Sequence, residues 1–298
     1  LNEPLLLTRD RDDRLHCLSN VCTHRGNVVV EGAGNMNTLR CRYHGRRFGL
    51  DGSFQNMPEF EGVENFPAPC DNLAQTPFGR WENLLFASID PIAPLADVFA
   101  PMVERMGFLP LREFRFDGSR AREYMIKAHW ALYIDNYLEG FHIPYVHASL
   151  NAGLVYDDYT TEAYRYGNLQ IGVSKDGDDA FDLPATSPDH GKNIAAYYFW
   201  FFPNLMFNFY PWGLSVNVIH PLGPDRTKAS FLSYVWDRAK IGSGAGGAID
   251  RVEREDEDIV EKVQRGIQSS FYTRGRYSAR HEQGIHHFHR LLSEFLRP

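Results

Sequence analysis

Four soft metal ligands occur as two short loops within the first fifty residues. The loops have the spacing Cys22-x-His24 and Cys41-x-x-His44, and in each a glycine follows the histidine within two residues. Each loop can present both of its ligands to one site. Two thiolates and two imidazoles suit either a structural zinc ion or an iron–sulfur cluster in which two histidines replace two cysteines on one iron. The ligand types alone leave both possibilities open.

A second group of ligand-type residues lies on a predicted helix that ends near Pro144. Asp135, Glu139 and His142 follow the i, i+4, i+7 rule, so we expect them to share one helix face. Proline cannot continue the helix, and the chain can turn there. That turn would let His147 approach the same point as His142.

A charged helix from about residue 249 to 269 supplies a further acid. At 100° per residue, Asp256 falls in the middle of its apolar stripe, which we assign to Val252, Ile259, Val263 and Ile267. The neighbouring acids lie progressively away from that stripe and would face water: Glu255, Glu257 and Asp258. A carboxylate on a buried face needs a partner or a metal. Asp256 with His142 and His147 would form the two-histidine, one-carboxylate triad of a non-haem Fe(II) oxygenase.

The elements that must position these side chains fall into two groups. Residues 4–88 are short β-type runs separated by turn signals, which predicts a small all-β module. A connection punctuated by prolines follows, and strands and helices are then mixed. We therefore expect an α+β chain with domains over residues 1–90 and 91–298.

The second domain is expected to combine helices with an antiparallel sheet. A proline-free helical pattern covers residues 130–142, and the charged helix at 249–269 follows a glycine-rich loop. Consecutive strands are predicted at residues 197–202, 205–210, 214–220 and 229–236.

These motifs resemble those of a known enzyme family. The two ligand loops, with their gap of about sixteen residues, resemble the Rieske motif. Residues 135–147 resemble the mononuclear-iron motif of Rieske non-haem iron oxygenases, and residues 255–266 resemble their carboxylate helix. The chain is closest in motif to the alpha (oxygenase) subunits of aromatic ring-hydroxylating dioxygenases and to choline and carnitine monooxygenase-type enzymes. The resemblance implies a Rieske [2Fe-2S] domain followed by a helix-grip catalytic domain with a mononuclear Fe(II).

The resemblance also implies roles for single residues. One iron of the cluster would be held by the two cysteines and the other by the two histidines: Cys22, Cys41, His24 and His44. Glu139 occupies the place of the acid that carries electrons from the Rieske histidine of a neighbouring subunit to the first iron histidine. Most members have Asp there, whereas carnitine monooxygenase-type enzymes have Glu. Either Asp135 or Asn136 would take the place of the family's asparagine near the iron.

By the same resemblance, the chain would be an O2-dependent mono- or dioxygenase that acts as a homotrimer. A separate NAD(P)H-dependent reductase, with or without a ferredoxin, would supply electrons. The substrate would be a small aromatic or quaternary ammonium compound. Aromatic residues at 198–210 are expected to be mostly core, with the remainder free to stack on a ring or cage an ammonium group. The competing hypothesis is a zinc-stabilised β-module joined to a ligand-binding helix-grip domain without a redox role.

Composition excludes several other classes of protein. A net charge of -7 without any Lys/Arg-rich run disfavours nucleic acid as a partner. No stretch reads as a membrane span, and four cysteines are too few for a disulfide framework, so a reducing cytoplasm is expected. The first residues read as a strand already under way, which implies that part of the natural N-terminus is missing.

Residues outside the two constellations are expected to be structural. We expect Cys17 and Cys70 to be buried free thiols. The C-terminal histidines have no positioned acid in the sequence pattern and are expected to belong to a solvated or packed helix: His281, His286, His287 and His289.

Overall fold

The computed structural model describes residues 3–175 and 180–297. The chain forms two compact units, Leu1–Leu95 and Ala96–Pro298. In the described part of the chain, no helix is both long and apolar enough to cross a membrane.

The N-terminal unit consists of small antiparallel sheets. Strands β1 and β2 pair as one hairpin, β3, β4 and β5 form a second sheet, and β6 pairs with β7. These strands are Leu5–Arg9, Leu15–Ser19, Leu39–Arg40, Arg47–Phe48, Phe54–Asn56, Phe78–Trp81 and Leu84–Ala87. Their core includes Cys22 and Cys41 beside Leu18, Leu39 and Phe48. The two cysteines of the ligand loops are therefore anchored in the packed interior of this unit.

The second unit is built on an eight-stranded antiparallel sheet. The strand order is β10-β11-β12-β13-β14-β15-β8, and β9 also pairs with β15. These strands are Arg115–Phe116, Arg122–Ile126, Thr160–Tyr164, Gly167–Val173, Ile194–Phe201, Leu205–Tyr210, Gly213–Gly223 and Arg226–Val235. The central strand β12 is almost wholly buried. On one face Trp200 packs against Phe288, and on the other Phe201 packs against Phe99.

Helices cover this sheet and connect its strands. They are α1 Leu95–Met106, α2 Trp130–Tyr137, α3 Ile143–Val146, α4 Ala148–Gly153, α5 Ile249–Gly266 and α6 Gln283–Phe295. Helix α5 packs on α2, and α2 also contacts α6 and β14. Residues from α2, α5 and α6 share one core cluster with Trp200, including Ile134, Val260 and Phe288. Each such fully buried side chain contributes about 1.5–3 kcal/mol to folding.

The predicted fold class is confirmed: an N-terminal all-β unit precedes an α+β unit with a large antiparallel sheet and a long helix. All four predicted strands exist, and the one at Leu205–Tyr210 has the expected bounds. The early strands of the large sheet, β8 to β11, were not anticipated. Their short lengths and their polar residues gave little alternating pattern.

The prediction of one helix over residues 130–142 was wrong. Helix α2 ends at Tyr137, and the separate short helix α3 begins at Ile143. The carboxylate of Glu139 accepts hydrogen bonds from the backbone N–H groups of Phe141 and His142, and so stabilises the turn between the two helices. Gly140 fits closely against the ring of Tyr159, where a Cβ would lie 2.7 Å from a ring carbon.

The buried face of α5 also differs from the predicted stripe. Its most buried residues are Glu253, Val260 and Gln264, whereas Val263 is 41% exposed. On a helical wheel this face lies about 100° from the predicted one. Asp256 lies between the two and remains turned toward the core side of the helix. The central residue of the buried face is an acid, which a search for apolar periodicity does not detect.

Candidate metal centres

The two ligand loops of the N-terminal unit have the same backbone turn. In each, a glycine N–H donates to the carbonyl of the loop's cysteine: Gly26 to Cys22 at 3.0 Å and Gly45 to Cys41 at 3.1 Å. Both glycines have positive φ angles, 71° and 78°, which other residues adopt only with strain. This explains why a glycine follows each histidine.

The four side chains of these loops converge. The side chains of Cys22 and Cys41 are buried, and their thiols lie close enough to influence each other's pKa. The rings of His24 and His44 lie edge to face with centroids 4.7 Å apart. His24 Nδ1 is buried without a hydrogen-bond partner in the described structure. Two paired thiols, two adjacent imidazoles and an orphaned ring nitrogen fit a two-iron cluster with mixed ligands.

The surroundings of the thiols favour the thiolate in one of them. Burial raises the pKa of Cys22. Burial acts in the same direction on Cys41, but the N–H of Tyr43, the neighbouring Cys22 thiol, the amide of Asn27 and the N–H of His44 outweigh it and lower the pKa of that thiol. Such N–H donors to sulfur are among the features that set the potential of an iron–sulfur cluster.

A buried ion pair supports both loops. Arg46 directly follows the second loop and pairs with Asp71, while its guanidinium lies 5.0 Å from the ring centroid of Phe54. The carbonyl oxygen of Asp71 accepts a hydrogen bond of 2.8 Å from the hydroxyl of Thr23 in the first loop. Asp71 therefore ties the two loops together.

In the second unit, His142, His147 and Asp256 meet at one point. Their ligand atoms all lie within 4.8 Å of one another. His147 Nε2 is 3.1 Å from His142 Nε2 and 3.0 Å from Asp256 Oδ1, and His142 Nε2 is 3.4 Å from the same oxygen. Neighbouring ligands bonded at roughly 2.1 Å to one metal would be roughly 3 Å apart. The donor set and its spacing therefore fit a facial triad.

Two glutamates hold the other nitrogens of these histidines. Glu139 Oε1 lies 2.6 Å from His142 Nδ1, and Glu255 Oε2 lies 2.8 Å from His147 Nδ1. This carboxylate–histidine arrangement orients an imidazole and leaves its Nε2 for a metal. Burial disfavours the charged form of His142, but Asp256 and Glu139 outweigh it and raise the pKa to about 9. Burial disfavours the ionised form of Asp256. The imidazoles of His142 and His147 outweigh this effect and lower the pKa of the carboxyl group.

A small cavity opens beside the triad. Its volume is ≈ 110 Å³, well below the roughly 300–1,000 Å³ of pockets that hold drug-sized ligands. The triad residues, Asn136, Glu139 and Glu253 line it. Its walls also carry a group of tyrosines: Tyr133, Tyr137, Tyr159, Tyr198 and Tyr210.

Asp135 does not line this cavity within the described residues. The prediction that it shares a helix face with Glu139 and His142 was wrong because α2 ends before Glu139. Its carboxylate instead lies 2.8 Å from Nε2 of His289 on α6. The expectation that the C-terminal histidines have no positioned acid was therefore also wrong. Asn136, the other candidate for the asparagine position, does line the cavity.

Two acids of α5 that the sequence reasoning missed belong to this site. Glu255 was expected to face water but holds His147, and Glu253 is buried at the cavity wall. The expectation of water also fails for Glu257, whose Oε1 is buried without a hydrogen-bond partner in the described structure. A spacing of three residues between Glu253 and Asp256 was the available signal, since it places both on adjacent parts of one helix surface.

The two remaining cysteines behave differently. Cys17 is a buried free thiol, as expected, whereas Cys70 is exposed, contrary to the prediction. Cys70 lies in a single 3-10 turn at Pro69–Asp71 without buried residues, so no packed core surrounds it.

Comparison with known families agrees with both centres. Residues 1–67 match the Rieske [2Fe-2S] domain, and residues 114–297 match the ring hydroxylating alpha subunit (catalytic domain). The chain belongs to the Rieske oxygenase alpha subunits. It is an oxidoreductase with a Rieske cluster and a mononuclear iron as cofactors. This sets aside the hypothesis of a zinc-stabilised module without a redox role. Enzymes of this kind need a separate electron-transfer partner.

Relatives of this Rieske oxygenase include enzymes named for quaternary ammonium substrates. Choline monooxygenase of Beta vulgaris is 32% identical over 99% of this chain and 67% of its own length. The carnitine monooxygenase oxygenase subunit of Escherichia coli is 28% identical over 100% of this chain and 82% of its own. A solved structure of a quaternary ammonium Rieske monooxygenase has the same fold, with a TM-score of 0.74 at 23% identity over 99% of this chain and 82% of that one.

Proposed function

We propose that this Rieske oxygenase is the terminal component of a monooxygenase that oxidises a small quaternary ammonium compound. The observation that carries the substrate class is the small cavity beside the triad, with its wall of tyrosines. Aromatic faces attract a cation through their quadrupoles, and quaternary ammonium groups are commonly held in such cages. The names of the choline and carnitine relatives support the same class.

The proposal assigns each centre to named residues. Cys22, His24, Cys41 and His44 would hold the Rieske cluster, and the iron ligands would be His142, His147 and Asp256. A bound Fe(II) supplies open positions for dioxygen beside the substrate. The tyrosine wall would orient the substrate and exclude water. Asn136, which also lines the cavity, would take the place of the family's asparagine near the iron.

Glu139 is proposed to carry the electron between centres. Its Oε1 lies 2.6 Å from Nδ1 of His142, and its Oε2 accepts from the His142 backbone N–H at 3.0 Å. Two separate contacts thus fix the carboxylate against the iron-side imidazole. A Rieske histidine of a neighbouring subunit would contact it from the other side in a homotrimer.

Electrons would come from an NAD(P)H-dependent reductase, directly or through a ferredoxin. This chain supplies the oxygenase alone in that scheme. We further propose that it works in a reducing compartment such as the cytoplasm, because the proposed cluster needs its cysteines as thiolates rather than as a disulfide.

Substrate-stimulated oxygen uptake tests the proposal. The reduced holoenzyme is supplied with an electron donor and a panel of compounds: choline, glycine betaine, L-carnitine and a set of small aromatic acids. We expect trimethylammonium compounds to stimulate uptake with matching product, and the aromatic acids to leave it near the background rate. Stimulation by aromatic acids alone would refute the assigned substrate class.

A further inference from the structure

Glu253 is a buried acid of the cavity that the iron triad does not use. It lies on α5 three residues before Asp256, and its side chain is 4% exposed. Both residues line the same cavity, as expected for positions about 60° apart on one helix surface. Glu253 therefore faces the space beside the iron ligands without being one of them.

The carboxylate of Glu253 has a hydroxyl partner but no cation. The hydroxyl of Tyr133 lies 2.8 Å and 2.7 Å from its two oxygens. Burial raises the pKa of Glu253 well above its ordinary value, and the nearby acids Asp256, Glu257 and Asp250 act in the same direction. Within residues 3–175 and 180–297, no salt bridge includes Glu253. One hydroxyl supplies one proton, so most of the acceptor capacity of this carboxylate remains unused.

A buried carboxyl without a cationic partner discriminates between classes of ligand. A neutral ligand in the cavity offers no partner for a negative charge, so the carboxyl keeps its proton and adds little to binding. A cation of the same shape favours the ionised carboxylate, pairs with it and also contacts the aromatic side chains of the cavity. The combination of one acid with several tyrosines therefore favours an ammonium group over a neutral ring.

We propose that Glu253 determines specificity by pairing with the positive charge of the substrate's ammonium group, and that Tyr133 positions its carboxylate. This inference rests on the proposed function and adds the residue that recognises the charge. In this arrangement the tyrosine side chains contact the methyl groups of the trimethylammonium group, and Glu253 pairs with its positive charge.

Binding measurements on the iron-loaded holoenzyme test this role. Titration calorimetry compares choline with its uncharged carbon isostere, in which carbon replaces the ammonium nitrogen, for the wild type, Glu253→Gln and the control Glu257→Gln. Glutamine keeps the size of Glu253 and its contact with the Tyr133 hydroxyl but removes the charge. Glu257 is a half-buried acid of the same helix that does not line the cavity described above.

We expect the wild type and Glu257→Gln to prefer choline over the isostere. Glu253→Gln should weaken choline binding about tenfold or more, while binding of the isostere changes by about twofold or less. Iron content and the thermal midpoint, measured on the same samples, verify that the variant is folded. If Glu253→Gln does not fold, the wild-type preference still decides, because equal affinity for choline and isostere would overturn the proposal.

Failure of this inference differs from failure of the proposed function. If choline stimulates oxygen uptake in the wild type and Glu253→Gln retains the full preference for the cation, Glu253 has no role in specificity although the substrate class stands. If no trimethylammonium compound in the panel stimulates uptake or binds, both proposals are wrong. A uniform loss of turnover with unchanged binding constants would also overturn the assignment, since it would indicate a role in the chemical step.

Discussion

Each histidine of the proposed iron triad is oriented by a glutamate. Glu139 and Glu255 contact Nδ1 of His142 and His147, and the Nε2 atoms turn toward Asp256. The sequence predicted that the three proposed ligands come together, because their residue types and spacing carry the signal. It did not predict Glu255, because the helical wheel assigned that residue to solvent, whereas His147 approaches α5 from that side. The hydrophobic periodicity of a helix does not show which of its sides a distant loop will approach, because that depends on the tertiary structure.

The first prediction concerns the proposed carboxylate ligand. Asp256→Ala should lose the mononuclear iron and keep the Rieske cluster, because the residues proposed to hold the two centres lie in different units. Metal analysis together with the visible spectrum of the cluster measures both centres in one sample. Full iron content in the variant would show that Asp256 is not a ligand.

The second prediction concerns the support of His147. Glu255→Gln should lower the affinity for iron by about 10–100-fold without loss of the cluster, since a glutamine orients the imidazole less well and makes it a weaker base. Chelator competition against the holoenzyme measures this affinity. Asp258→Asn is the matched control, because Asp258 is an exposed acid of the same helix that pairs with Lys262. Equal iron affinity in both variants would exclude a role for Glu255.

At the scale of the elements, long apolar strands were predictable and interruptions were not. Strand β13 was predicted with the bounds it has, because its aromatic residues form a dense run bounded by turn signals. Helix α2 was predicted to run too far because Leu138 and Glu139 are good helix formers. The break depends on the hydrogen bonds that Glu139 accepts in the turn and on the close approach of Gly140 to Tyr159, which is distant in sequence. For the same reason Asp135 was assigned to the iron face.

The third prediction concerns the contact of α2 with α6 through Asp135 and His289. The hydrogen bond that the His289 imidazole donates to the carboxylate of Asp135 raises the pKa of His289, so the folded state binds the proton more tightly. This contact contributes fully to the stability of the folded state below the ordinary histidine pKa of about 6.5. The contribution is lost as the pH rises through the raised pKa of His289. Burial raises the pKa of Asp135 as well. Its shift starts from the ordinary value of an aspartate, which lies below that of a histidine.

Thermal unfolding of His289→Gln between pH 6 and 8.5 tests this dependence. The variant should be less stable than the wild type by roughly 2 °C at the acidic end, with the difference shrinking toward the alkaline end. His286→Gln, an exposed histidine of the same helix, should show no such trend. A difference that grows with pH would mean that the sign of the linkage is wrong.

At the scale of the whole molecule, the proposed function requires electrons to pass between neighbouring subunits of a ring. A head-to-tail trimer that contains both an iron-deficient and a cluster-deficient subunit has one junction at which an intact cluster faces an intact iron site. Activity should therefore return in mixed trimers although each parent is inactive.

The fourth prediction is this complementation. Asp256→Ala and His44→Ala subunits, each with its own affinity tag, are co-expressed, and the doubly tagged assembly is purified. It should turn over substrate at about one third of the wild-type rate, since one of the three junctions is complete. Assemblies of either variant alone serve as controls. No activity in the mixed assembly, despite intact metal content at the unmodified sites, would contradict transfer between subunits.

A single-turnover reaction shows directly whether the Rieske cluster feeds electrons to the proposed iron site. Chemically reduced holoenzyme, freed of excess reductant, is mixed with oxygen and the trimethylammonium compound that stimulates uptake, and cluster oxidation and product are measured together. We expect the wild type to oxidise its cluster and to form product in proportion to the amount of cluster oxidised. Glu139→Gln, with both metals present, should form little product because its cluster stays reduced, and Asp256→Ala should form none. Product formation at the wild-type level in either variant would contradict a cluster that feeds an iron at His142, His147 and Asp256 through Glu139.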